Sequence, residues 1–206
     1  MKKTVTAIAA VLLLIAGVMF AASPADGTDE RIESICKACA GMKSMKCDFT
    51  QTRTVPLLED KQVSKGHMLY FQPSRLKWSY TEPFPYSFSV DGETVSIDTE
   101  SGHNGIGADG SRMYQGIAGI MLGCMSGECL RDSRLFKVTM TDGDGLWIAT
   151  MDPLRRDMKK MFRRIELGFS SRTGLLEYID MTETGGAGTH VTIENVQLNG
   201  NYETDW

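Results

Sequence analysis

Basic charge, histidine and a second long apolar run are what this sequence has little of. Its 206 residues hold 22 Lys and Arg against 26 Asp and Glu. Losing Lys2 and Lys3 with a leader would deepen that acidic balance, which excludes the basic footprint by which a domain grips nucleic acid. Only three histidines occur, His67, His103 and His190, each in a different segment, and there is no GxSxG elbow. Neither pattern supplies the base and nucleophile of a hydrolase, so no enzyme, no cofactor and no metal site is expected. After Val5 to Phe20 no apolar run approaches the ~20 residues a membrane span needs.

That one run follows Met1-Lys2-Lys3 and precedes small residues, the form of a secretory signal over residues 1–25. Ser23 and Ala25 fit the small-residue cleavage rule, with Pro24 between them. The first cysteine, Cys36, lies well beyond, which argues against a lipid-modified N-terminus. Residues 26–206 suit a single domain, soluble and exported. Five cysteines, Cys36, Cys39, Cys47, Cys124 and Cys129, invite disulfides in such a chain, and the odd number leaves at least one free or intermolecular. Spacing alone does not fix the pairing.

What the sequence does have is concentrated in Gly66 to Gly92. Leu76, Trp78 and Tyr80 alternate with Arg75, Lys77 and Ser79, and Phe84, Tyr86, Phe88 and Val90 alternate with Pro85, Ser87 and Ser89. Side chains alternate across a strand, so five aromatics are expected on one side of two short strands, with Asp91-Gly92 as the next turn. A surface that rich in rings needs a cover, whether core, helix or ligand.

Around this stretch the periodicity predicts a helix over Thr28 to Ala40, with Ile32, Ile35, Cys36 and Cys39 on its apolar stripe, and a first strand over Met45 to Val55. Glu93 to Asp98 reads as a strand and Ser101 to Gly110 as a Gly-rich loop. From Ser111 to Cys124 the period becomes helical, with Met113, Ile117, Ile120, Met121 and Cys124 on one stripe, although Gly116 and Gly119 weaken that helix by about 1 kcal/mol each relative to alanine. Further strands follow at regular spacing from Leu135 to Leu198, with turns at Asp142 to Gly145 and Gly185 to Gly188, an antiparallel meander.

Several short motifs point to chemistry that their context does not support. Gly105 to Gly110 matches GxGxxG but lies in no parallel βαβ unit, and a loop is the better reading. Cys36-Lys37-Ala38-Cys39 matches CxxC but sits on the helix's apolar stripe rather than at a helix start, as buried structural cysteines do. Asp142 to Gly145 lacks the closing glutamate of a calcium loop and reads as a hairpin turn. The basic run Arg155 to Arg164, with Leu154, Met158, Met161 and Phe162 interleaved, suits either a membrane-surface or partner-docking element, or a solvated loop entering a strand.

The ordered series Lys43-Ser44-Met45, Phe49-Thr50-Gln51, Gly66-x-x-x-Tyr70-Phe71, Pro73-x-Arg75-x-x-Trp78-x-Tyr80, Val90-Asp91-Gly92, Asp152-Pro153, Phe162-x-x-Ile165-x-Leu167 and Ile179 to Asn195 resembles the periplasmic outer-membrane lipoprotein carriers of the LolA type. The resemblance implies a mainly β (α+β) fold: one curved antiparallel sheet forming an incomplete β-barrel, with helices over its open side as a lid. It implies a periplasmic carrier that takes lipoprotein acyl chains into an apolar cavity and shuttles them from the inner to the outer membrane. An inner-membrane ABC transporter would hand over the cargo, an outer-membrane lipoprotein acceptor would receive it, and the carrier would be a monomer. Carried onto this chain, the cavity is expected to be lined by Leu69, Phe71, Leu76, Trp78, Tyr80 and Phe88 from the sheet, and by Met113, Ile117, Ile120 and Met121 from the lid. Where members of the family have an arginine that latches the lid, this chain has Gln72, and it ends at Trp206, ahead of the terminal strand and hairpin some members use for partner selection. The alternative function is a lipid- or glycolipid-binding or envelope-sensing module on the same fold.

Overall fold

The computed structural model describes residues 27–56, 60–99, 102–105 and 119–206. The expected signal segment, the start of the lid helix with Met113 and Ile117, and most of the Gly-rich loop lie outside the described residues.

Helix α1 spans Thr28–Ala40, with Asp29 and Glu30 in its first turn and Lys37 in its last, charges placed to suit the helix dipole. Its stripe of Ile32, Ile35, Cys36 and Cys39 is buried. Six strands then meander: β1 (Ser44–Thr54), β2 (Gln62–Phe71), β3 (Arg75–Glu82), β4 (Tyr86–Asp91), β5 (Thr94–Thr99) and β6 (Gly102–Gly105). After helix α2, described over 119–126, come β7 (Phe136–Gly143), β8 (Leu146–Pro153), the short helix α3 (Arg156–Met161), β9 (Phe162–Ser170), β10 (Leu176–Glu183) and β11 (Gly188–Leu198).

Among the described residues these strands form one antiparallel sheet ordered β6-β5-β4-β3-β2-β1-β11-β10-β9-β8-β7. Two meanders are thus joined back to back, with β1 against β11 from Phe49↔Ile193 to Thr54↔Gly188. The two strands left at the sheet's edges, β6 and β7, are consecutive in the chain. The connection between them, which contains α2, must therefore travel from one edge of the open sheet to the other.

Alternation divides the sheet into two faces. Met68, Tyr70, Leu76, Trp78, Leu167 and Val191 join the buried stripe of α1 and Cys124 and Met125 of α2 in a continuous core. Each such large side chain withdrawn from water contributes about 1.5–3 kcal/mol. No helix among the described residues is long and apolar enough to cross a membrane.

Two expectations need correction. Residues Gly102–Gly105 are not loop but pair with β5 as an edge strand, from Ser96↔Gly105 to Thr99↔Gly102. Phe84 does not join the aromatic face: it lies between Pro83 and Pro85 in the β3–β4 connection and is 76% exposed, because prolines flanking it interrupt the ladder. The basic run folds as α3 leading into β9, with Met158 buried and Leu154 exposed. The hairpin turn expected within Asp142 to Gly145 is Asp144-Gly145, closed by the pair Gly143↔Leu146.

Candidate ligand-binding site

Between the inner face of the sheet and α2 lies a cavity of about 380 Å³, within the ~300–1,000 Å³ usual for small-ligand sites. Its aromatic wall comes from β3 and β4, where Trp78, Tyr80, Tyr86 and Phe88 lie side by side, with Ile97 of β5 beyond them. The register places these rings together: Trp78 pairs with Phe88 and Tyr80 with Tyr86 across the two strands. The Tyr80 and Tyr86 rings stack with centroids 4.4 Å apart. The opposite wall is aliphatic, formed by Ile165 of β9, Ile179 and Met181 of β10 and Val191 of β11. Ile120, Met121 and Cys124 of α2 form the roof.

Polar groups are few. The Tyr80 hydroxyl donates to Gln51 Oε1 at 3.0 Å, and burial pushes the Tyr80 phenol far above its usual range, so it stays protonated. The Trp78 indole nitrogen is buried, with no hydrogen-bond partner within reach among the described residues. A pocket of this kind recognises hydrocarbon, with one or two donors to orient a polar end.

A larger depression, about 760 Å³, opens beside the start of α1. Its lining mixes Ile32, Leu130, Phe136, Val138 and Leu154 with the charged Asp29, Glu33, Arg131 and Lys137, and those charges raise the cost of burying an acyl chain there.

Of the side chains expected at the cavity from sequence, Trp78, Tyr80, Phe88, Ile120 and Met121 meet there. Leu76 is fully buried in the core beneath the cavity rather than lining it. Leu69 and Phe71 belong to the other face, since their register partners are Lys77 and Arg75 while Met68 and Tyr70 pair with the inward Trp78 and Leu76. Phe71 packs edge-on against Trp206 at 5.8 Å. The Arg75 guanidinium lies over both rings, 4.8 Å from Phe71 and 4.2 Å from Trp206. Among the described residues the Gln72 side chain meets α1 rather than α2: its amide donates to the Cys39 carbonyl at the end of α1, at 3.2 Å.

The expected lining left out Gln51, Tyr86, Ile97 and Cys124, and it missed the whole opposite wall of Ile165, Ile179, Met181 and Val191. These last four are ordinary strand residues whose meeting with the aromatic wall depends on how the sheet curves. His67 pairs with Asp48 at 2.6 Å and His190 with Asp180 at 2.8 Å. Both pairs occupy the face away from the cavity, since His190 and Asp180 alternate with the cavity-lining Val191, Ile179 and Met181. Among the described residues no group of His, Cys, Asp and Glu is arranged to hold a metal ion.

Comparison with known proteins gives this architecture a family. Residues 40–205 match the family model described as outer membrane lipoprotein carrier protein LolA. An outer-membrane lipoprotein carrier protein of Chromobacterium violaceum is 25% identical over 161 residues, covering 78% of this chain and 73% of that relative. One from Cupriavidus taiwanensis is 25% identical over 163 residues, covering 77% and 74%. Among solved structures, the MucA/MucB complex of Pseudomonas aeruginosa aligns with a TM-score of 0.52 at 11% identity, covering 84% of this chain and 57% of that one. The lipoprotein LppX of Mycobacterium tuberculosis aligns at 0.50 and 15%, covering 85% and 97%. At these identities the structural matches speak to the fold alone.

Proposed function

The chain belongs to the LolA family of outer membrane lipoprotein carrier proteins, and on that premise we propose that the cavity under α2 receives the acyl chains of lipoproteins and shields them while the protein shuttles between inner and outer membranes. The observation that carries this reading is the cavity's composition: four aromatic rings on one wall, aliphatic side chains on the other, and a helix of Ile120, Met121 and Cys124 as its roof.

Hydrocarbon burial is enough for the task. Ten methylenes at ~0.8 kcal/mol each give roughly 8 kcal/mol relative to water, a dissociation constant on the order of 1 μM. Relative to a bilayer the gain is near zero, because the chains leave one hydrocarbon phase for another. Net transfer therefore needs work at the loading step, the role of an inner-membrane ABC transporter, and an outer-membrane acceptor that binds more tightly. Release is eased by a roof that is a poor helix on its own, since Gly119 and Gly123 cost about 1 kcal/mol each relative to alanine. On this reading the protein works as a periplasmic monomer after removal of residues 1–25, and it carries rather than catalyses.

The test is binding of a fluorescent fatty acid by the wild type and by Phe88→Glu and Met181→Glu. These positions face the cavity and are half-buried, so a charge there is tolerated better than at the fully buried Leu76. At least tenfold weaker binding with an unchanged circular-dichroism spectrum is expected. Undiminished binding in both variants would overturn the assignment, and free glycolipid recovered from the purified protein would move it to a lipid-binding or sensing module.

A further inference from the structure

Four of the five cysteines are buried where α1, the end of α2 and the following turn meet, and all five are free thiols. Their placement depends on two glycines. Gly127 has φ 74° and caps the short 3-10 helix Glu128–Leu130, reversing the chain after α2. A side chain there would also meet Cys36 Sγ and Ile35 Cγ2 at 3.3 Å. Gly123 leaves room for Cys129, whose Cβ would lie 3.2 Å from a side chain at that position. The result is a loop that returns Cys129 to Cys124, with the two sulfurs 3.8 Å apart. The Cys36 thiol is engaged elsewhere, donating to the Gly127 carbonyl at 3.5 Å. Cys47 sits apart on β1, paired across the ladder with Met68.

We propose that Cys124 and Cys129 are a redox pair whose disulfide fixes the cavity-lining end of α2 against its turn, so that oxidation slows escape of whatever the cavity holds. Side-chain rotation closes the 3.8 Å gap to the ~2.05 Å of an S–S bond. The two thiols lose two protons and two electrons as that bond forms, and a disulfide oxidant accepts them, its own S–S bond breaking to give two thiols. Cys124 lines the cavity roof, so the bond acts directly on the wall that must move for a ligand to leave. The hydrogen bond to Cys124, and then burial, pushes the Cys129 thiol well above its usual range. A buried thiol held protonated, as Cys129 is, reacts slowly, so oxidation belongs to the stage before α2 docks, and the bond is retained afterwards.

The effect on the cavity rests on the carrier reading, whereas the bond itself does not. The experiment refolds the full chain with oxidised glutathione, alkylates it with N-ethylmaleimide in denaturant, and digests it with an endopeptidase that cleaves after Glu128. The expected result is three maleimides, on Cys36, Cys39 and Cys47, and a disulfide joining the peptides that carry Cys124 and Cys129. Five maleimides, or another linked pair, overturn the proposal. Dissociation of a fluorescent fatty acid is then timed from oxidised protein and from the same protein after phosphine reduction. Several-fold slower loss from the oxidised form supports the hold on α2, and equal rates overturn it. If neither form binds the probe while the 124–129 bond is present, it is the carrier reading that fails.

Discussion

The ring of Phe49 lies 4.3 Å from the Trp78 indole, centroid to centroid, and occupies the space over Gly66. A Cβ at Gly66 would come within 2.7 Å of Phe49 Cζ and 2.0 Å of the Ser79 carbonyl oxygen. The β2–β3 register shifts between Lys65 and Gly66, so this missing side chain lets Phe49 support the aromatic wall from behind. Gly66→Ala should therefore cost about 1–3 kcal/mol through overpacking, read as a lower urea midpoint with an unchanged slope. An unaltered midpoint would show that the wall is not supported in this way.

The Gln72 side-chain amide donates to the Cys39 carbonyl at the end of α1, while its backbone N–H donates to the Lys43 carbonyl. Gln72→Ala should cost about 0.5–1.5 kcal/mol. Hydrogen exchange should quicken at 38–42 and stay unchanged at 120–126; faster exchange confined to α2 would restore the role of lid latch to this position.

Arg75 lies over the rings of both Phe71 and Trp206, and its Nη1 donates to both oxygens of Glu203, at 2.9 and 3.1 Å. A planar fork can stack and bind a carboxylate at once, and an ammonium cannot. Arg75→Lys should loosen the C-terminal segment, shifting tryptophan emission to the red at a cost of about 1 kcal/mol in stability. Unchanged emission would mean that the clamp contributes nothing.

Alkaline pH should weaken the fold. Burial, with the Asp48 charge second, pushes the Cys47 thiol up to about 12, and burial, with Cys36 second, pushes Cys39 up to about 11. Desolvation likewise raises Tyr70 to about 12. For each group the folded value lies above the unfolded one, about 8.5 for a thiol and 10 for a phenol. Their contribution is complete below the unfolded value and is lost as pH rises toward the folded one. The urea midpoint should fall between pH 8 and pH 10.5, and less steeply in Cys47→Ala measured against its own value at pH 7. A flat profile would contradict the burial of these thiols.

The strands were legible because their alternation is strong and their turns are marked: Leu76, Trp78, Tyr80, Phe88 and Val90 announce their inward face, and α1 its stripe. The sequence could not separate a residue that faces the cavity from one that faces the core, since Leu76 and Trp78 share a face and differ only in depth. Leu69 and Phe71 misled because Met68 to Phe71 is an unbroken apolar run without alternation, and Phe71 on the outer face is covered by Arg75 and by Trp206 from far along the chain. Met181 and Ile165 gave no signal, as only the curvature of the sheet brings β9 and β10 opposite β3.

The central claim is that the space between the sheet and α2 holds acyl chains. Native mass spectrometry of the protein purified from the envelope of cells making an acylated lipoprotein, and of cells making the same lipoprotein with its acylated cysteine replaced, tests this most directly. A one-to-one complex with the acylated form, absent with the unacylated one and lost in Phe88→Glu, is the expected result. Equal capture of both forms, or capture undiminished by Phe88→Glu, would contradict it.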